Sequence, residues 1–220
     1  MLSHSHAAAP QRMGTYYRAE LLKVLGLTKV QGRVLDIGGY DGFLLSQIEA
    51  TEKVSVDLDT KPAYGGIKYC RGDGLSLPFA DGSFDAIFAL DVLEHVDDEE
   101  RFVGELMRVL GPNGRIVLST PQNDIRIFPA ALQAWTNKRW QHYRTPGYTQ
   151  EAVDSLFRPL HPVECRVRKL SASWFLRLYL PLSVVWRIAP KLGLRLLSKI
   201  ASLDRRLTGP HGYLLAEVRK

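Results

Sequence analysis

The chain has 220 residues, 45% hydrophobic and 24% charged, which suits one globular domain with a full core and an elaboration. Its two cysteines, Cys70 and Cys165, lie far apart, which excludes a disulfide framework and a Cys/His zinc module and makes a reducing cytoplasm the expected compartment. The net charge of +6 is local: residues 166–210 hold ten Lys and Arg against one acid, Asp204, so the remainder is net acidic and an anionic partner belongs on that segment.

The first residues, MLSHSHAAAPQRMG, have no apolar run of the signal-peptide kind, and His4 and His6 are read as unstructured, not metal-ligating. A helix is predicted over residues 14–25, with Tyr17, Leu21 and Leu25 on one face. A strand over 33–37 opens into Gly38, Gly39, Tyr40, Asp41 and Gly42, then a helix carrying Phe43, Leu44 and Ile48. Strands follow over 53–57, 67–70 and 83–90. A helix over 99–110 stops at the breaker cluster Gly111, Pro112, Asn113 and Gly114, ahead of a strand over 115–119. Strands and helices alternate as in βαβ units, so the expected architecture is α/β with a parallel, doubly wound sheet. Beyond it come an aromatic-rich helical stretch over 128–140, a helix over 149–157 and a strand over 161–170. A hydrophobic and basic insertion over 172–209 precedes a last strand over 212–219. Residues 1–220 thus read as a single domain.

The glycine turn after the first strand raises the question of its ligand. A dinucleotide fingerprint needs glycines at the first, third and sixth positions, but from Gly38 these fall on Tyr40 and Phe43. No GK[ST] follows, so a P-loop is excluded too. What remains is an acid near the strand end, Asp36, then glycines before a helix. A tyrosine fits such a turn with its side chain pointing away if its φ is negative.

In these residues the chain resembles the class I S-adenosylmethionine-dependent methyltransferases, whose first motif is an apolar strand ending D-x-G-x-G-x-G. Asp36, Gly38 and Gly42 match, Gly39 is extra and Tyr40 replaces the middle glycine. Residues 72–85, GDGLSLPFADGSFD, resemble the second region of that family; 91–96, DVLEHV, resemble its post-β4 signature; and 108–121, RVLGPNGRIVLSTP, its helix–turn–strand motif, with Asn113 at a glycine position. Four linked motifs in order are specific where one alone is weak. The resemblance implies a Rossmann-like, doubly wound seven-stranded sheet with an antiparallel last strand and a helical lid insertion before it, and S-adenosyl-L-methionine as cofactor. It implies Asp57 for the ribose hydroxyls with Leu58 beside it, Asp73 for the adenine amine, and Gly74 and Leu75 against the ring. Asp36, Gly38, Gly39, Tyr40, Gly42, Leu90 and Asp91 complete the expected cofactor site. The subgroup is similar to the small-molecule and lipid enzymes of quinone biosynthesis.

The reaction so implied is in-line methyl transfer, in which an oxygen acceptor usually needs a base. His142, in a segment resembling the family's H.R.YT element, and His95 after the fourth strand are the candidate catalytic residues; packing is the alternative for both. No acids cluster for a metal. Two other classes compete. A nucleic-acid methyltransferase is prompted by the basic segment, yet the chain lacks a [DNS]PP[YF] motif, a catalytic Pro-Cys pair and an RNA-binding module, so no nucleic-acid partner is expected. A non-catalytic S-adenosylmethionine-binding scaffold is opposed by the retained Asp57 and Asp73.

The insertion must emerge over the ligand edge of such a sheet. Its first part, 174–189, is apolar but too short to span a bilayer and carries Arg177, Pro181 and Arg187. Its second part places Lys191, Arg195 and Lys199 on one helical face and Leu192, Leu196, Ile200 and Leu203 on another. Two readings stand side by side: a lid over a greasy pocket, or peripheral contact of 174–207 with the anionic inner face of a membrane. Both imply a hydrophobic or lipid-linked acceptor.

Overall fold

The computed structural model describes residues 13–125, 147–205 and 212–220. Strands β1 (Arg33–Ile37), β2 (Glu52–Asp57), β3 (Lys68–Arg71), β4 (Phe84–Leu90), β5 (Leu110–Pro121), β6 (Glu164–Ser171) and β7 (Gly212–Arg219) form one seven-stranded sheet in the order β3-β2-β1-β4-β5-β7-β6. The pairs β3–β2, β2–β1, β1–β4 and β4–β5 are parallel, and β7 runs antiparallel to both β5 and β6. This is the expected doubly wound, seven-stranded sheet with an antiparallel last strand.

Parallel strands are covered on both faces, which explains their unbroken apolar runs. Leu35, Ile37, Ile87 and Ile116 face α3 (Glu99–Val109) and α4 (Gln150–Phe157), where Phe102, Leu106, Val153 and Phe157 pack. Val34, Phe88 and Val117 face α1 (Met13–Val24) and α2 (Phe43–Ser46). Asp98 caps α3 by accepting from Arg101 N, and Thr149 caps α4 by accepting from Ala152 N. Arg108 on α3 donates to the Leu77 and Phe79 carbonyls and to Asp81 and Glu105, which pins the loop of the second motif to that helix.

Two expectations are corrected. The helix after the glycine turn is a single turn, and Ile48 lies beyond it, because Glu49 N donates to Thr28 O and Val30 N to Glu49 O, drawing the chain away. The breaker cluster ends α3 at Val109, yet β5 begins immediately at Leu110. Phe84 pairs with Leu110 and Ala86 with Arg115, so the cluster becomes a bulge, with Asn113 at φ 60.

The insertion forms α5 (Ser173–Arg177), α6 (Tyr179–Ile188) and α7 (Pro190–Asp204). With β6 parallel to β5, it starts from the carboxyl edge. Gly193, Leu197, Ala201 and Asp204 form the buried stripe of α7, joined by Ile200. The expected apolar face is therefore split: Leu192 and Leu203 are 50% and 48% exposed, Leu196 is half-buried, and Lys191, Arg195 and Lys199 are exposed. At the end of α7, buried Asp204 accepts from the Tyr17 hydroxyl at 2.8 Å, from Trp174 N at 3.0 Å and from Phe175 N at 3.2 Å. Tyr17 stacks on Phe175 with centroids 4.1 Å apart.

Asp204→Ala leaves three donors without their acceptor, and the expected loss is roughly 2–4 kcal/mol in a denaturant melt. Limited proteolysis should find the new cleavage sites within 172–205, and cuts spread evenly over the sheet would contradict this account.

Candidate functional site

The turns leaving β1 and β4 meet at the carboxyl edge. Asp36 is 2% exposed; its Oδ2, like Ser55 Oγ on the neighbouring strand, has no hydrogen-bond partner among the described residues. Burial, helped by Asp57 and Asp41, pushes the Asp36 carboxyl up to about 8. A Cβ at Gly39 would come within 2.4 Å of Asp36 Oδ2, so only glycine lets the turn close over this acid. Gly38, at φ 67, lies against Val92 of the β4 turn, and a Cβ there would come within 2.8 Å of its methyl.

Tyr40 departs from the negative φ that would let its side chain point away freely: it sits at φ 49, in the left-handed region. The turn keeps a glycine-like backbone with a tyrosine in it, at a cost of about 1–2 kcal/mol. Its N–H donates to Asp57 Oδ2 at 3.3 Å, which ties the turn to the end of β2.

After β4, Asp91 adopts φ 54 and its N–H donates to Ser119 O. Its Oδ1 accepts from Ser119 Oγ at 2.9 Å, and its Oδ2 pairs with the Arg18 guanidinium, which lies 4.8 Å from the Tyr213 ring centroid. Glu94, 1% exposed, accepts from Thr120 Oγ1 at 3.0 Å through Oε2, while Oε1 has no partner among the described residues. Burial pushes its carboxyl up to about 7, against the lowering effect of its own backbone N–H, of Thr120 and of Arg18.

A cavity of about 750 Å³ joins these groups. Of the residues singled out in the sequence, Asp36, Gly38, Gly39, Tyr40, Leu90, Asp91 and His95 line it, with His95 on the exposed rim. Phe175, Leu176, Tyr179, Ser183, Trp186 and Arg187 of the insertion line it too. Gly42, Asp57, Leu58, Asp73, Gly74 and Leu75 are not in its wall. Asp57 is the last residue of β2 and Asp73 follows the end of β3, along the same edge. Asp57 Oδ1 accepts from Asp59 N and Thr60 N; Asp73 is exposed and accepts from Leu75 N at 2.9 Å. Leu58 is 59% exposed, and a Cβ at Gly74 would meet Phe102 at 2.8 Å. Gly42, at φ 77, caps α2.

His142 and the stretch 128–140 lie outside the described residues. Tyr148 is a core residue, its hydroxyl 2.7 Å from Glu99 and 3.1 Å from Leu93 O. Sequence reasoning passed over Arg18 and Glu94. Glu94 was visible inside DVLEHV as an acid among apolar residues; nothing local marked Arg18.

Residues 35–118 match a family described as a methyltransferase domain. Over 110 residues the chain is 39% identical to an uncharacterized methyltransferase of Mycobacterium sp. (strain KMS), covering 46% of this chain and 44% of that protein. Over 64 residues it is 41% identical to the chloroplastic tocopherol O-methyltransferase of Arabidopsis thaliana, covering 29% of this chain and 18% of that protein. The chain therefore spans less than half the length of these curated relatives. In fold it is similar to phosphoethanolamine N-methyltransferase 2 of Haemonchus contortus, solved with phosphomonomethylethanolamine and S-adenosylhomocysteine: TM-score 0.66 at 15% identity, over 94% of this chain and 56% of that chain.

The raised carboxyl of Asp36 sets a pH dependence. A carboxyl whose folded value exceeds its unfolded one stabilises the fold in acid and loses that contribution as pH rises through the folded value. Asp36→Asn should therefore be more stable than the wild type near pH 8. The difference should shrink by at least about 1 kcal/mol toward pH 4, as read by denaturant melts across that range.

Proposed function

We propose that this chain, whose residues 35–118 match a methyltransferase domain, is a class I S-adenosylmethionine-dependent methyltransferase that transfers a methyl group to a hydroxyl of a hydrophobic or lipid-linked small molecule. The cofactor of this domain is S-adenosyl-L-methionine, and the residues present fit it. The β1 turn closes on an acid without any phosphate-binding motif. Asp36 offers a buried carboxyl oxygen without a partner among the described residues, and the Arg18–Asp91 pair offers a carboxylate and a cation for the two ends of an amino-acid tail. Asp57 and Asp73 retain acceptor capacity for ribose hydroxyls and the adenine amine, since a carboxylate offers about four acceptor sites; Leu58, Gly74 and Leu75 stand beside them. When bound, the cofactor supplies a methyl group already activated on a sulfonium. What the chain must do is position the acceptor and exclude water.

The observation that carries the reading of the acceptor is the cavity wall. Phe175, Leu176, Tyr179 and Trp186, all from the insertion, line the same space as Asp36 and Asp91. An aromatic and aliphatic wall of this kind binds apolar bodies and sheds water. Likeness to a tocopherol O-methyltransferase supports oxygen as the acceptor atom.

The outer face of the insertion supports delivery from a membrane. Leu180, Val184 and Ile188 repeat every four residues along α6 and are 36%, 55% and 78% exposed, with Leu192 next in line. Exposed Arg187, Lys191, Arg195 and Lys199 border them. Among the described residues no helix is long and apolar enough to cross a bilayer. An apolar stripe with basic flanks suits lying on an anionic surface, and Ser183, Trp186 and Arg187 link that stripe to the cavity.

Two measurements test this reading. Asp57→Ala and Asp73→Ala should each weaken S-adenosylmethionine binding by about 1–3 kcal/mol in calorimetry, and unchanged affinity in both would remove the nucleoside assignment. The chain should co-sediment with vesicles containing phosphatidylserine, less so at high salt, and lose binding when Lys191, Arg195 and Lys199 are changed to Glu. Full recovery in the supernatant at low salt would leave the insertion as a lid alone.

A further inference from the structure

We propose that Glu94 is the acceptor's base: its Oε1 receives the hydrogen of the acceptor hydroxyl inside the cavity and takes that proton as the oxygen turns nucleophilic. This role rests on the reading that the acceptor presents a hydroxyl. Glu94 is 1% exposed and lines the cavity; its Oε2 accepts from the Thr120 hydroxyl at 3.0 Å, and its Oε1 has no hydrogen-bond partner among the described residues. A buried carboxyl oxygen without a partner costs about 1–3 kcal/mol, and such a cost persists in a fold where a ligand completes the bond.

The neighbouring groups are engaged, closed over or at the rim, although Asp36 Oδ2 shares the lack of a partner among the described residues. Asp91 spends one oxygen on Ser119 and the other on Arg18. Asp36 lies beneath Gly39, His95 stands on the exposed rim, and the Tyr148 hydroxyl points into the core. Among the described residues, the charged and titratable groups that share the cavity with Glu94 are Arg18 from α1, Asp36 from β1, Tyr40 from the turn after it, Asp91 and His95 from its own turn, Tyr179 and Arg187 from α6 and Tyr213 from β7. Burial holds the Glu94 carboxyl near neutrality, and Arg18 keeps it from rising further, so it ionises where a base works best.

The step balances without another reactant. The proton moves from the acceptor oxygen to Glu94, the oxygen uses the electron pair of the broken O–H bond to bond the methyl carbon, and the pair of the broken carbon–sulfur bond stays on sulfur. Glu94 then yields its proton to water. The Thr120 hydroxyl, bound to Oε2, fixes the direction in which Oε1 points.

The test uses the full chain saturated with S-adenosylhomocysteine, with 4-hexylphenol and its methyl ether as probes. The ether has the same body but no hydrogen to donate. The wild type should bind the phenol at least roughly tenfold more tightly than the ether near pH 8, and this preference should fall as pH drops below about 7 and the carboxylate is protonated. In Glu94→Ala the preference should shrink to about threefold or less, with S-adenosylhomocysteine affinity retained as evidence of folding. Glu94→Gln, which keeps the side-chain volume, should lose the pH dependence. A structural role alone would weaken both probes together. A full preference in Glu94→Ala, or a pH-independent one in the wild type, overturns the assignment. A wild type that binds S-adenosylhomocysteine but neither probe removes the hydroxyl-acceptor reading and this role with it. A wild type that fails to bind S-adenosylhomocysteine removes the cofactor site first.

Discussion

Burial of the Asp204 carboxylate organises the ligand side of this molecule. Taking a carboxylate out of water is costly unless donors replace the water, and here a hydroxyl and two backbone amides do so. Those donors come from α1 and from the start of α5, while the carboxylate ends α7. Three segments that are distant in sequence are thereby held in one arrangement. The Tyr17–Phe175 stack closes the same junction with apolar contact. Because Phe175 also lines the cavity, the wall that meets the ligand is only as well placed as this buried acid.

Beneath that roof acids and arginines stand together. The chain as a whole is basic, yet three carboxyl groups face the cavity: Asp36, Asp91 and Glu94. Arg18 reaches over from α1 to neutralise Asp91 and rests on Tyr213 of β7. One ion pair thus bridges the first helix, the β4 turn and the antiparallel strand. Such a pair contributes less to net stability than to fixing a geometry, because desolvation offsets much of its attraction. The benefit falls on the site, where the loop after β4 must hold a left-handed residue next to Gly38.

The insertion has two chemistries because its helices are only partly embedded. Inward, Leu182, Leu197, Ile200 and Ala201 join Tyr17, Leu21 and Phe175 in a core separate from those on the two faces of the sheet. Outward, the line from Leu180 to Leu192 stays uncovered while the cations spread around it. An apolar line on a highly charged segment marks a contact surface more readily than a solvated one. Ser183, Trp186 and Arg187 place this apolar line and the cavity mouth side by side on one surface.

The sequence by itself determined the strands and the order of motifs, because parallel strands buried on both faces demand short apolar runs and the turns between them demand glycines or acids. Arg33–Ile37 and Gly212–Arg219 were legible to the residue, and the direction of β6 followed from the fold that the linked motifs implied. The turn at Gly38 and Gly39 was legible as a glycine turn leaving β1, although the left-handed backbone of Tyr40 was not: a tyrosine carries no local signal for φ 49, and the N–H bond to Asp57 supplies part of the reason. The short α2 was hidden in the same way, since the pairing of residues 28–30 with Glu49 cuts it off. Only the tertiary structure decided which polar groups share a cavity. Arg18 meets Asp91, Tyr17 meets Asp204 and Glu94 turns toward Thr120 across sequence separations that no periodicity records. The physical reason is that burial, unlike strand or helix propensity, belongs to the packed whole: a carboxyl becomes a functional group when its water is removed, and which carboxyl loses its water is settled by what folds over it.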